Sequence, residues 1–363
     1  MAAALPLSGL RVLEIAGLGS VTLAATMLAD MGADVVRIER ADVPEDESVR
    51  LRRRVILDLS QSDDRCKAMA LIRSAEALIE GFRPGVMERF GLGPDMVHAE
   101  NPRMTYLRVT GWGQSGPLAT APGHDINYIA LSGVLGRVGG VDPVVPLNLI
   151  SYGAGAAFAA LGLVAGVIAA RGGAPGQVID LATAESALYL MTKQFAWFNA
   201  GFLTKRGSNL VDGGAWFYTT YRCADGHHVA VGAVEPKFRT ALVALLDLND
   251  TDLGDGDDRA SWPAWRHAVS SRFATRRRDE WIAEVGAKEA CVTPVLNLEE
   301  VPEHPHFRGR QAFAVGKHGA LPAAVPGFRA VRLREDVPRE DHLESILTEW
   351  DHESSRLRRK DQQ

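Results

Sequence analysis

Residues 10–38, LRVLEIAGLGSVTLAATMLADMGADVVRI, decide the fold. Leu10 to Ala16 is a compact apolar run that reads as a strand. Gly17 to Ser20 is a turn, Val21 to Met31 a helix, and Asp34 to Ile38 a second apolar strand. A strand, a helix and a strand in that order form a βαβ unit, whose crossover makes the two strands parallel. Working outward, Val55 to Leu59, Ala77 to Glu80 and Met104 to Val109 are further short strands alternating with helical stretches. A parallel sheet covered on both faces is the economical reading.

The segment 152–170 carries no charge over about 19 positions, the length of a membrane span. Its Gly and Ala content favours a buried helix packed against the sheet. Gln177 to Asp180 then reads as a strand, Ala184 to Asn199 as one helix, and Gly201 to Gly214 as a linker. Tyr218 to Arg222 and His228 to Val234 flank Asp225-Gly226, the signature of a hairpin turn. Helices near 237–247, 261–271 and 278–286 complete a small α+β domain. An irregular stretch beyond 310 leads to an amphipathic segment, Asp341 to Trp350, and a frayed end at Arg356 to Gln363. The expected organisation is α/β: a Rossmann-like parallel-sheet large domain (1–200), a smaller α+β domain with its linkers (201–309), and a C-terminal segment (310–363) returning to the large domain.

Composition narrows the partners. At 363 residues the chain is long enough for two domains, and 46% apolar content excludes disorder. A net charge of -5 gives no general attraction for nucleic acid. Cys66, Cys223 and Cys291 are odd in number and lack metal-ligand spacing, which argues against a disulfide frame or a zinc site and fits the cytoplasm. The N-terminus has no secretory pattern. His227-His228 and His304-x-His306 lack companion ligands, so no metal is expected, and Arg276-Arg277-Arg278 reads as a solvated helix start.

Gly17-Leu18-Gly19-Ser20-Val21-Thr22, with Glu39 about twenty residues on, nearly matches the dinucleotide fingerprint but carries Thr22 where the third glycine belongs. The crevice at the strand ends is also the place where Arg40, Arg52-Arg53-Arg54, Arg83 and Arg89 are expected on loops. Guanidinium forks on separate loops suit a ligand with several phosphates, as coenzyme A has.

With these pieces in place, LSGLRVLEIAG, MGADVVRIER, LIEGFRPGVMERFGLGP, RVTGWGQSGP, GHDINYIALSG, PLNLISYGAG, DGGAWFYTTYRCADG, VAVGAVEPKF and CVTPVL follow one another as family blocks in family order. The chain resembles the family III CoA-transferase superfamily (CaiB/BaiF type), and within it the α-methylacyl-CoA racemases of lipid metabolism. GHDINY and VAVGAVEPKF resemble the racemases more than the formyl-CoA or carnitine-type transferases. The resemblance implies an interlocked homodimer, an acyl-CoA thioester as partner, CoA along the large domain with Arg40 near its phosphates, and no cofactor beyond the CoA of the substrate.

Racemising a carbon beside a thioester requires removing an α-proton, stabilising the enolate oxygen and returning a proton to the other face. By position His124 matches the family's histidine base and Asp125 the acid that follows it. A histidine just before a helix meets the positive end of its dipole, which favours neutral imidazole. Gly123 is expected to give the backbone freedom to aim it, and Asp125 to cap the helix as well as serve the site. Glu235 matches the family glutamate that pairs with the histidine, although before Pro236 it also reads as ordinary capping. Gly213-Gly214 can approach the acyl group or form a plain turn.

The departure is Tyr152. It stands where the racemases carry an aspartate base and the transferases an aspartate nucleophile. A phenol with an ordinary pKa near ~10 is a poor base at neutral pH but still donates a hydrogen bond. Asp142 and Glu185 are the carboxylates nearby in sequence that could stand in for it. Four readings follow: a racemase-like isomerase, a one-base isomerase, a CoA-transferase, and a thioester-binding pseudoenzyme. Phe195, Trp197, Phe198, Trp216 and Phe217 line an acyl channel or belong to the core.

Overall fold

The computed structural model describes residues 5–15, 17, 19–44, 46–140, 142–248, 253–327, 339–340 and 342–360, with side chains of the last stretch as far as residue 351. The chain separates into two compact units. One comprises Met1–Ser132, Leu147–Leu190 and Gln311–Gln363, the other Gly133–Pro146 and Met191–Arg310.

The first unit starts with β1 (Arg11–Ile15), α1 (Ser20–Asp30), β2 (Asp34–Glu39), β3 (Arg52–Ile56), α2 (Ser62–Ser74) and β4 (Ala77–Glu80). It continues through α3 (Val86–Arg89), α4 (Pro94–Glu100), β5 (Thr105–Thr110), α5 (Asp125–Leu131), α6 (Ile150–Arg171), β6 (Val178–Ala182) and α7 (Thr183–Leu190). The second unit holds α8 (Thr192–Asn199), β7 (Tyr218–Arg222), β8 (His228–Gly232), α9 (Pro236–Leu245), α10 (Trp262–Phe273), α11 (Arg278–Val285), β9 (Val292–Pro294) and α12 (Pro305–Gly309). The chain closes in the first unit with β10 (Phe313–Val315), β11 (Ala320–Pro322), β12 (Arg339–Glu340) and α13 (Leu343–Lys360).

The main sheet runs β12-β3-β2-β1-β4-β5-β6, and every neighbouring pair is parallel. Its six longer strands have the doubly wound 3-2-1-4-5-6 order, so the turn after β1 lies at the switch point, where such sheets open a crevice. Alternation along β1 explains why both faces are covered. Val12 joins α1 and α6 in one core cluster, while Leu13 and Ile15 join α2 and α13 in the other. Each such side chain, fully buried, contributes about 1.5–3 kcal/mol.

α6 turns a small-residue face inward. A Cβ at Gly155 would stand 2.7 Å from Ser20 Oγ, and one at Gly166 would stand 2.6 Å from the Thr105 methyl. The helix is long and apolar enough to cross a membrane by composition. Its Ala156, Ala159 and Leu163 are nevertheless wholly buried in the core, while Leu161 and Ile168 stay exposed.

In the second unit β7, β8 and β9 form an antiparallel sheet, with Gly226 at φ +83 in the β7–β8 turn. Its core is aromatic: Trp216 stacks on Trp265 at 4.5 Å, and Phe273 meets Trp281 edge-on at 5.3 Å.

Several sequence expectations change here. The single helix over 184–199 is two helices, because Met191 leaves the helical region at φ -82, ψ 4. The linker 201–214 is a hydrogen-bonded loop. Buried Asn209 accepts from Thr204 N, and Asp212 accepts from Gly207 N, Asn209 N and Asn209 Nδ2. Arg278 is not solvated but buried, with Asp279 and Glu300 on its guanidinium. Trp216 and Phe217 belong to the core, while Phe195 and Phe198 are exposed. The C-terminal helix runs to Lys360 where fraying is expected, and residues 361–363 of that stretch lie outside the described ones.

Candidate active site

The GHDINY stretch forms the start of α5. His124 is the exposed N-cap residue, and its imidazole has no side-chain partner among the described residues. Its backbone is fully engaged: the His124 N–H donates to Asn127 Oδ1 at 3.0 Å, and its carbonyl accepts from Asn127 N at 2.8 Å and Tyr128 N at 3.2 Å. The glycine before it is required for space rather than for an unusual φ. A Cβ at Gly123 would stand 2.8 Å from Tyr128 Cε1 and 3.1 Å from Trp112 Nε1.

Asp125 corrects a second expectation. It opens α5 but caps the next helix. Its Oδ1 accepts from Ser151 N at 2.8 Å, Ser151 Oγ at 2.5 Å and Tyr152 N at 3.2 Å, while Oδ2 is buried without a partner among the described residues. A carboxylate on the free N–H groups of a helix start is favoured by both hydrogen bonding and the dipole. Thus the residue after His124 is joined to the residue at position 152, although 27 positions separate them.

The Tyr152 ring passes over Gly19, 3.8 Å from where a Cβ would be, and its carbonyl accepts from Ser20 Oγ at 2.9 Å. Burial raises the phenol above its ordinary range and Asp46 adds to this, against the opposing charge of Arg52. Tyr152 therefore stays a proton donor through the neutral range and beyond. It lines a cavity of about 540 Å³ together with Gly17, Gly19, Arg54, Lys317 and Leu321.

Arg52, Arg53 and Arg54 lie on β3, not on a loop, and they meet carboxylates. Arg52 and Arg37 both bind Glu14, Arg37 and Arg54 both bind Glu39, and Arg53 binds Asp34. Burial pushes the Glu14 carboxyl up, while the guanidiniums of Arg52 and Arg37 pull it down. Glu39 is consumed in this ladder, so it does not offer the free carboxylate that a dinucleotide ribose needs. The Thr22 hydroxyl donates to Gly17 O at 2.9 Å.

Of the six arginines expected around the crevice, Arg54 lines the cavity; Arg40, Arg52, Arg53, Arg83 and Arg89 do not. Arg40 is exposed beside Asp42, Arg83 is exposed, and Arg89 donates to Gly85 O at 3.1 Å.

Glu235 lies in the second unit as the exposed N-cap residue of α9, and its side chain makes no capping bond. In the same unit Gly213 adopts φ +85, and Gly214 is pressed on the backbone of Ser208 and Asn209, its N–H donating to Asp212. Asp142 is exposed in the second unit and Glu185 exposed on α7. No group of three or more His, Cys, Asp or Glu side chains suited to a metal ion comes together among the described residues. Sequence reasoning overlooked Trp112, Asn127, Tyr128 and Ser151. The places of Gly111 and Gly123, where a Cβ would strike Tyr128, mark that residue only once the chain is folded.

The family model of CoA-transferase family III matches residues 7–340. Human alpha-methylacyl-CoA racemase is 38% identical over 362 residues, covering 95% of this chain and 93% of that protein. The mouse racemase is 40% identical over 356 residues, with coverage of 95% and 93%. The crystal structure of a CAIB/BAIF family protein from Brucella suis superposes with a TM-score of 0.81 at 21% identity, covering 96% of this chain and all of that one. The chain belongs to CoA-transferase family III.

Proposed function

We propose that this protein is an α-methylacyl-CoA racemase-like isomerase, in which His124 removes the α-proton of a 2-methylacyl-CoA thioester. The observation that carries the reading is the Asp125 bridge, which ties the residue after an exposed imidazole, unpaired with any side chain among the described residues, to the helix start bearing Tyr152. The likeness to two racemases at 38% and 40% identity supports the substrate class.

In the reaction the α C–H bond breaks toward the imidazole, and its electron pair moves into the thioester carbonyl to give an enolate. Returning the proton from His124 restores the starting configuration, and donation from Tyr152 to the opposite face inverts it. Starting from the other enantiomer requires a phenolate as base, and burial makes that form scarce. Exchange therefore outruns inversion. A CoA-transferase is the weaker reading, because a phenol at position 152 cannot form the acyl anhydride that a carboxylate forms.

The CoA moiety is assigned to the crevice after β1, where Arg54 lines the cavity. Glu235 remains a candidate on the family resemblance alone. A second copy of the chain is assigned as partner, since Leu161, Ile168, Leu188 and Tyr189 leave apolar surface exposed on α6 and α7.

The test is incubation with one enantiomer of a 2-methylacyl-CoA in deuterated water, following α-deuterium and chirality together. Deuterium entering faster than configuration changes is the expected result. Equal rates would mean two effective bases, acyl transfer to a free acid would favour the transferase, and CoA binding without exchange would leave a pseudoenzyme.

A further inference from the structure

The imidazole of His124 has no side chain to orient it within the described residues, so its aim comes from the peptide groups on either side. One residue grips both carbonyls there. The Tyr128 hydroxyl donates to Gly123 O at 2.5 Å, and the Tyr128 N–H donates to His124 O at 3.2 Å.

The ring that carries this hydroxyl is itself tightly placed. Trp112 meets it edge-on, with centroids 4.8 Å apart and planes at 84°. A Cβ at Gly111 would stand 2.1 Å from the Tyr128 hydroxyl oxygen, and one at Gly123 2.8 Å from its Cε1. The phenol thus occupies a slot that exists only because two chain positions lack side chains. The Trp112 indole nitrogen is buried here without a hydrogen-bond partner among the described residues, so the aromatic pair is held by shape and by the single Tyr128 hydroxyl bond.

We propose that Tyr128 is a positioning residue, which fixes the direction of the His124 imidazole by holding the Gly123 carbonyl. The inference rests on His124 being the base. It adds a residue that touches no reacting atom and acts through the loop backbone. A base must lie within hydrogen-bond reach of the proton it takes, and a displacement of about 1 Å at such a centre can cost ~10²-fold in rate.

Tyr128→Phe removes the hydroxyl and keeps the ring between Trp112 and the two glycines. In the α-deuterium exchange assay its kcat is expected to fall about 10- to 100-fold, while KM for the acyl-CoA stays at the wild-type value and the variant remains fully folded at the assay temperature. Gly111→Ala, which drives a methyl into the phenol oxygen, is expected to lower kcat in the same direction. Wild-type kcat in Tyr128→Phe overturns the proposal, as does a loss that follows only the folded fraction or appears only in KM. His124→Ala separates the two ideas. If it abolishes exchange while Tyr128→Phe is fully active, the base stands and the positioning role falls. If His124→Ala still exchanges, both fall.

Discussion

The β1–β3 part of the sheet and the α5–α6 junction belong to the same unit, yet they handle polar groups in opposite ways. In the strands, Glu14, Arg37, Arg52 and Glu39 are buried, and every one has an oppositely charged partner. At the junction, among the described residues, His124 is exposed with no side-chain partner and Asp125 keeps one buried oxygen unpaired, while Tyr152 lines a cavity. A satisfied buried network resists change, because losing either partner strands the other charge in a low dielectric. An unmatched donor or base stays available to a ligand. The charges of the strands are thus spent on structure, whereas the junction keeps the groups that the proposed reaction would use.

His124→Ala should reduce α-deuterium exchange by about 10²–10⁴ with an unchanged melting temperature. A protein that melts early instead would place this residue in the structural class. Glu14→Gln should do the converse, costing about 3–5 kcal/mol in urea unfolding because Arg37 and Arg52 lose their shared carboxylate. The fraction that remains folded should keep its kcat, and a kcat loss at full folding would show that the ladder serves the reaction.

Tyr152→Asp sharpens the contrast at the junction. Installing a carboxylate base should raise inversion relative to exchange by about 10- to 100-fold, part of what a well-placed general base supplies. An unchanged ratio, read by chiral analysis of the recovered acid, would remove position 152 from the proton path.

The smallest effect concerns pH. Tyr152 has its phenol raised chiefly by burial, so the folded chain keeps a proton that the unfolded chain releases above its ordinary value near ~10. The resulting stability is complete below that pH and disappears as pH rises through the higher folded value. Tyr152→Phe should therefore lose less stability than wild type between neutral pH and the alkaline range in parallel urea titrations. Identical slopes would mean that the phenol is not protected by burial.

The order of strands and helices in the first unit was legible because alternation and turn residues are local signals: 10–38 already specifies a βαβ crossover. The family blocks likewise marked His124, Asp125, Tyr152 and Glu235 by position. What stayed hidden depends on contacts between distant segments. Arg52, Arg53 and Arg54 look like loop cations in sequence, and only pairing of β3 with β2 brings them to Glu14, Asp34 and Glu39. The roles of Asp125 as cap of α6 and of Tyr128 as a grip on Gly123 have no signature at helical or strand spacing.

Residue type and local order were enough for the βαβ crossover of the first unit, for the family and for the tyrosine at position 152. Tertiary structure alone decided which charges are spent within the sheet, which helix Asp125 caps and what lies against Tyr152. Pairing and burial are properties of the folded surface, set by which segments meet rather than by their neighbours along the chain.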